Sequence, residues 1–159
     1  MIGVGAIMRG LAEYFNEDSD LWELVGILHD IDYEDTSKDF KLHGLKSAEI
    51  VEDLLPSEAL QAIKAHNSLT NFKAESRMDI SLFAADAVSG LIVANALVRP
   101  SGLKGMKPRS LHKRMKDKSF ARQINRENIQ LSQELGLGLS EFLKISIEAM
   151  EKVRYELDL

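Results

Sequence analysis

Apolar residues recur at helical spacing along almost the whole 159-residue chain, and no segment alternates apolar with polar as a half-buried strand would. A chain patterned this way must bury helix faces against one another, so the expected fold class is all-α, with about seven helices. Ile7, Leu11 and Phe15 share one face of a first helix over residues 3–15. Asp18 or Ser19 caps a second over 19–30, whose stripe is Leu21, Leu24, Val25 and Leu28. The polar stretch "DYEDTSKDFK" reads as a loop, "LHGLKSAEIVEDLL" as a third helix, and Pro56 with Ser57 as the opening of a fourth through "EALQAIKAHN". A long apolar helix over 77–98 ends at "RPSG". The basic stretch "LKGMKPRSLHKRMKDKS" predicts a loop with a short helix, and two further helices are expected over 119–135 and 140–157, the last capped by Ser140. No linker or repeat divides the chain, which is expected to form a single domain over 1–159, with a core region at 1–98 and a basic segment with C-terminal helices at 99–159.

Residues 80–98 contain one charge, Asp86, and so meet the composition of a membrane span. A lone apolar segment with a carboxylate at mid-depth fits the central helix of a bundle better, and no membrane partner is expected. The amphipathic start "MIGVGAIMRGLAEYF" has no basic n-region, so a cytoplasmic address is expected. With no cysteine, a disulfide framework, a thiolate metal site and a cysteine nucleophile are excluded, and any metal must bind to nitrogen and oxygen. Charge is unevenly spread: residues 1–98 net minus ten, 99–126 plus nine, and 127–159 minus four. That balance does not suit a general nucleic-acid binder, though it offers a local cationic wall to a phosphate.

"LVGILHDIDYED" sets His29 and Asp30 side by side at the end of an apolar stripe, about 100° apart on a helix, where they can flank one ion. His43 starts the third helix, His66 ends the fourth, and Asp86 lies among Ala84, Ala85 and Ala87 on the fifth. A carboxylate inside a buried helix has to face something positive. His29, Asp30, His43, His66 and Asp86 form a ligand set for a borderline divalent ion such as manganese, zinc, nickel or iron, or for two ions bridged by Asp30. Each residue also has an ordinary alternative: a histidine on an apolar face as a hydrogen-bonded core residue, Asp86 as an ion-pair partner of Arg77 or Lys64. Asp32, Glu34, Asp35 and Asp39 read as solvated loop residues, and His112 as a surface residue.

In their order, "LHDIDYE", "HGLKSAEIVEDLL", "AIKAHN" and "LFAADAVSGLI" resemble the HD superfamily of metal-dependent phosphohydrolases over residues 1 to 98, and "KDKSFARQINRENI" is similar to the C-terminal part of a small subgroup of it. The resemblance implies an HD-domain helical bundle with a divalent metal at its centre, one or two ions, magnesium included. It also implies hydrolysis of a small phosphorylated molecule, a nucleotide among the options, by a metal-activated water that Asp30 positions and deprotonates. By position, His29 and Asp30 match the name-giving pair, Asp86 the distal aspartate ligand, and His43 and His66 the second-ion positions. One departure stands out. The family's first helix carries a further metal-binding histidine, and here alignment of "VGAIMR" puts it one position before Met1, so either the chain as given starts too late or this member has lost that ligand. The resulting alternative is a non-catalytic HD module that senses a ligand or serves structure.

Lys46, one turn after His43, is a candidate phosphate clamp or an exposed helix lysine. Arg122 and Arg126 would share a helix face and either grip substrate phosphate or balance an acidic body. Aromatic residues are not interleaved with the bases, so nucleic acid is not an expected partner. A homodimer is compatible with the sequence, which carries no specific warrant for one.

Overall fold

The computed structural model describes residues 1–159 and is helical throughout, with no strand. Eight α-helices follow one another: α1 (Ile2–Phe15), α2 (Ser19–Leu28), α3 (Leu45–Ile50), α4 (Ser57–Ala65), α5 (Arg77–Leu97), α6 (Pro108–Lys116), α7 (Arg126–Gln130) and α8 (Leu139–Lys152). Two short 3₁₀ turns, Ser68–Thr70 and Leu131–Gln133, complete them.

The helix ends follow local chemistry. α1 stops where Asn16 takes a left-handed conformation, and the Asp18 carboxylate accepts from the Asp20 and Leu21 N–H groups to start α2. α5 opens on a reciprocal capping box between Ser76 and Asp79. α1 and α2 cross at two glycines, and a Cβ on Gly26 would stand 2.7 Å from Gly5 Cα and 2.8 Å from Gly5 N, so only glycine permits this backbone approach. The crossing brings the last turn of α2, which ends at His29, down against α1.

α5 is the axis of the bundle and packs against α1, α2, α4, α6, α7 and α8. It is long and apolar enough to cross a membrane, and half of that apolar window is buried by its neighbours. One continuous core joins α1, α2, α4 and α5 to Leu103, Leu111, Ile129, Phe142, Leu143 and Met150 from the C-terminal third. The basic segment and C-terminal helices therefore share a core with the first 98 residues.

Three expectations fail on detail. The third helix does not run through residues 42–55: it starts only after Gly44, which sits at φ 85°, and stops at Ile50, where Val51 leaves helical geometry at φ −108°, ψ 11° and turns follow. The helix expected over 119–135 dissolves into turns, α7 and a 3₁₀ turn, since Ala121 takes φ 46° and Asn125 caps a new start at Arg126. α8 begins at Leu139 on Gly138, and the Ser140 hydroxyl pairs with His112 Nε2 at 2.9 Å instead of capping.

Candidate metal centre

Three chain turns and one helix converge at one end of the bundle. His29 closes α2, Asp30 follows it, His43 precedes Gly44 at the start of α3, His66 closes α4, and Asp86 lies midway along α5. His29 and His66 are placed by the same device. Each is a helix C-cap whose ring Nδ1–H donates to the backbone carbonyl three residues earlier: Gly26 O at 2.9 Å for His29 and Ile63 O at 2.5 Å for His66. Carbonyls in the last turn lack helical partners, and the imidazoles supply them. The donation fixes Nδ1 as the protonated nitrogen and turns each Nε2 inward. Both helix C-termini also present their partial negative charge to the same point, which favours a cation there.

His43 is oriented from a different side. Its Nδ1–H donates to the Asp32 carboxylate at 2.7 Å. Gly44 lets it approach α4 this closely, because a Cβ at Gly44 would meet Ile63 O at 2.8 Å and His66 Cε1 at 2.9 Å. The Asn67 amide pins the loop from behind, donating to Phe40 O at 2.7 Å and His43 O at 3.0 Å.

With three Nδ1 atoms engaged, three Nε2 atoms face one carboxylate oxygen. Asp30 Oδ1 lies 3.1 Å from His43 Nε2, 3.4 Å from His29 Nε2 and 3.5 Å from His66 Nε2. The Nε2 atoms of His43 and His66 are 3.1 Å apart. Asp86 Oδ1 stands 3.7 Å from His29 Nε2. His29 is wholly buried, and its Nε2 has no hydrogen-bond partner. An orphaned buried imidazole nitrogen is costly, and one aimed at a carboxylate and another imidazole is in the position of a ligand atom.

Ligand atoms of His29, Asp30 and His66 all lie within 4.8 Å of one another, the spacing of groups that share an ion. His43, Asp30 and His66 form a second, overlapping triad by the distances above. His66 thus belongs to both triads, and Asp30 joins them.

The site holds its charges in a definite pattern. Burial alone would push the Asp30 carboxyl up, but hydrogen bonds to His43 and His66 and the field of His29 and His66 hold it well below the usual carboxylate range. Burial would push the His43 imidazole down, but Asp30 and Asp32 on its two sides raise it. Burial works against ionised Asp32 as well, and is outweighed by the Ser47 and Gly44 N–H groups and His43. A cluster of inward imidazoles around a carboxylate is built to hold positive charge.

Residues 1–91 match the HD domain family model. The chain belongs to the HD domain family. No curated protein and no solved structure matches it.

The HD match covers the helices that carry the His-Asp cluster, and it supports membership of a metal-dependent hydrolase superfamily. Other sequence expectations for the HD site are corrected. Asp86 is not buried: its side chain is 51% exposed, at the mouth of the site, and neither Arg77, which pairs with Glu17, nor Lys64 faces it. Asp32 is not a solvated loop residue but is wholly buried, accepting from His43, from Gly44 N at 2.8 Å and from Ser47 N at 2.9 Å. Its signal was in the sequence, as a second aspartate two residues after Asp30 facing a "HG" eleven residues on, but a polar neighbourhood masked it. Arg126 is not free to meet a phosphate: its guanidinium donates to the carbonyls of Asp117, Phe120, Ala121 and Ile124 and ties that turn together. Arg122 is exposed in a turn and shares no helix face with Arg126. Lys46 is half-buried on α3 without an ion pair and does not line the cavity over the cluster.

That cavity, about 290 Å³, opens above Asp30 and is walled by Tyr33, Phe40 and Phe83, with Asn67, Ser68 and Asn128 as its neutral polar groups. No lysine or arginine lines it. Met1, at the start of α1, borders a neighbouring hollow together with Asp30 and Tyr33, and α1 contributes no imidazole.

Proposed function

We propose that the protein is a metal-dependent phosphohydrolase acting on a small phosphate monoester. The observation that carries this reading is the convergence of three Nε2 atoms on Asp30 Oδ1 within 3.5 Å, with every Nδ1 already committed to an oxygen. His29, Asp30, His43 and His66 would hold the metal, with Asp86 at the open edge as a further carboxylate, and the donor set suits manganese, zinc, nickel or iron. A bound divalent ion supplies a water of lowered pKa and neutralises charge on the phosphoryl group. Asp30, held ionised by the surrounding imidazoles, would orient an attacking water and take its proton. His43, held between Asp30 and Asp32, would serve as a ligand and not as a proton carrier, because its Nδ1–H is committed to Asp32.

The cavity narrows the substrate. A triphosphate would bring its charge into a space bounded by Asp30 and Asp86 and by no lysine or arginine, with His43 and His66 as its only basic side chains, so a single phosphoryl group is the better fit. The aromatic walls Tyr33, Phe40 and Phe83 suit a leaving group with a flat apolar face, a nucleoside among them. Lys46, Arg122 and Arg126, the candidate phosphate contacts, do not line this cavity.

The test is hydrolysis of an aryl phosphate by the metal-loaded protein. Turnover should appear with manganese, be lost on chelation, and fall below detection in Asp30→Ala while helix content is unchanged; ATP should be a poor substrate by comparison. An Asp30→Ala variant as active as the parent contradicts the mechanism. A second reading, a non-catalytic HD module that binds an ion or ligand, is favoured by one feature: α1 offers Met1 near Asp30 and no imidazole. Stoichiometric metal without turnover of any monoester selects it.

A further inference from the structure

The residue that ties the connection between α2 and α3 to its helices is Asp32, which the ligand set leaves out. Its side chain is wholly buried and fully engaged. Oδ1 accepts from His43 Nδ1 at 2.7 Å, while Oδ2 accepts from Gly44 N at 2.8 Å and Ser47 N at 2.9 Å. Its own N–H donates to Ser47 Oγ at 3.2 Å, and its carbonyl accepts from Thr36 Oγ1 at 2.8 Å. The carboxylate therefore cannot rotate, because three donors hold two oxygens in fixed positions.

We infer that Asp32 is the positioning residue of the site: it fixes the proton of His43 on Nδ1 and thereby presents Nε2 as the ligand atom facing Asp30 and His66. This rests on the proposed metal-binding role of His43. His29 and His66 are fixed by carbonyls of their own helices, but the carbonyl three residues before His43, that of Phe40, already accepts from the His43 N–H and from the Asn67 amide. A carboxylate delivered from the turn after α2 replaces it. A carboxylate is a stronger acceptor than an amide carbonyl, so His43 becomes the most electron-rich ligand of the three.

Asn at position 32 separates positioning from shape, since Asp32→Asn keeps the volume of the side chain. The two backbone N–H donors would hold the amide oxygen where Oδ2 now sits, which turns the amide –NH₂ towards His43 Nδ1. A donor there forces Nδ1 to become an acceptor and puts the ring proton on Nε2, which blocks coordination.

The experiment combines ring nitrogen NMR with zinc titration of the full chain. In the parent protein the His43 Nδ1 resonance should report a protonated nitrogen with and without zinc, and in Asp32→Asn an unprotonated one. Zinc affinity should fall about 10- to 100-fold in Asp32→Asn, with helix content retained. In a His43→Ala background the same Asn substitution should cost nothing further. An unprotonated Nδ1 in the parent protein overturns the inference without recourse to any variant. So does an equal loss of affinity in the two backgrounds, which would mean that Asp32 acts only by shaping the loop. If the parent binds no zinc, the functional reading fails, and the nitrogen shifts still decide the role of Asp32.

Discussion

His43 sits between two carboxylates, and this sets a pH dependence with two opposite signs. Its imidazole is raised in the folded chain, so it contributes stability that is complete below its unfolded value of about 6.5 and is lost as pH rises through the folded value. Asp30 and Asp32 are lowered, so their contribution is present above the unfolded value of about 3.8 and disappears as pH falls through the folded ones. Metal-free protein should therefore be most stable between roughly pH 4 and 6.5 and lose stability as pH rises through the folded His43 value. The ion competes with the proton on His43, so metal affinity should run the other way and strengthen as pH rises past the folded His43 value. Thermal unfolding across pH, with and without chelator, checks both trends; curves that stay parallel would show that His43 is not at the metal. Of the residues involved, His29, Asp30, His43 and His66 were legible because histidines are few and three of them fall where helices begin or end. Asp86 was legible as a site residue for a mistaken reason, since it was read as buried and lies half-exposed at the rim.

Helix ends, more than helix faces, build the centre, and this is why the crossing of α1 and α2 matters to it. Gly26 both touches Gly5 and supplies the carbonyl that orients His29. Gly26→Ala would force the helices apart and should cost about 1–3 kcal/mol, as overpacking does. For a chain of this length that lowers Tm by roughly 2–12 °C. Because the same shift drags the His29 ring, metal affinity should fall in the variant at temperatures where it is still folded. Calorimetry and zinc titration of the one variant read both; a normal affinity with lowered Tm would show that His29 is held by something other than α2. Long amphipathic elements such as α1, α2 and α5 could be read from apolar spacing, since their buried stripe outweighs any local irregularity. α3 and α7 could not, because positive-φ residues at Gly44 and Ala121 stand ahead of them and delay their starts, and those angles are imposed by tertiary contacts that spacing does not encode.

At the scale of the whole molecule, the acidic body and basic segment share one packed core with a charged exterior, and the net charge of a segment does not say which of its side chains reach a cavity. Arg126 is consumed by four carbonyls of its own turn and Arg122 points into solvent, leaving the cavity over the cluster without a cation of its own. An ion is then the only source of positive charge for a bound phosphate besides the imidazoles, and it should also stabilise the fold. A ligand at a hundred times its Kd adds about 2.7 kcal/mol, which for a chain of this length raises Tm by roughly 5–11 °C. Everything functional here rests on an ion held by His29, Asp30, His43 and His66, and the most direct measurement is the metal content of the purified chain after loading with manganese and gel filtration. One or two ions per chain should be retained by the parent and none by Asp30→Ala, with the gain in Tm confined to the parent. A parent chain that emerges metal-free, with an unfolding curve indifferent to manganese, would contradict the account.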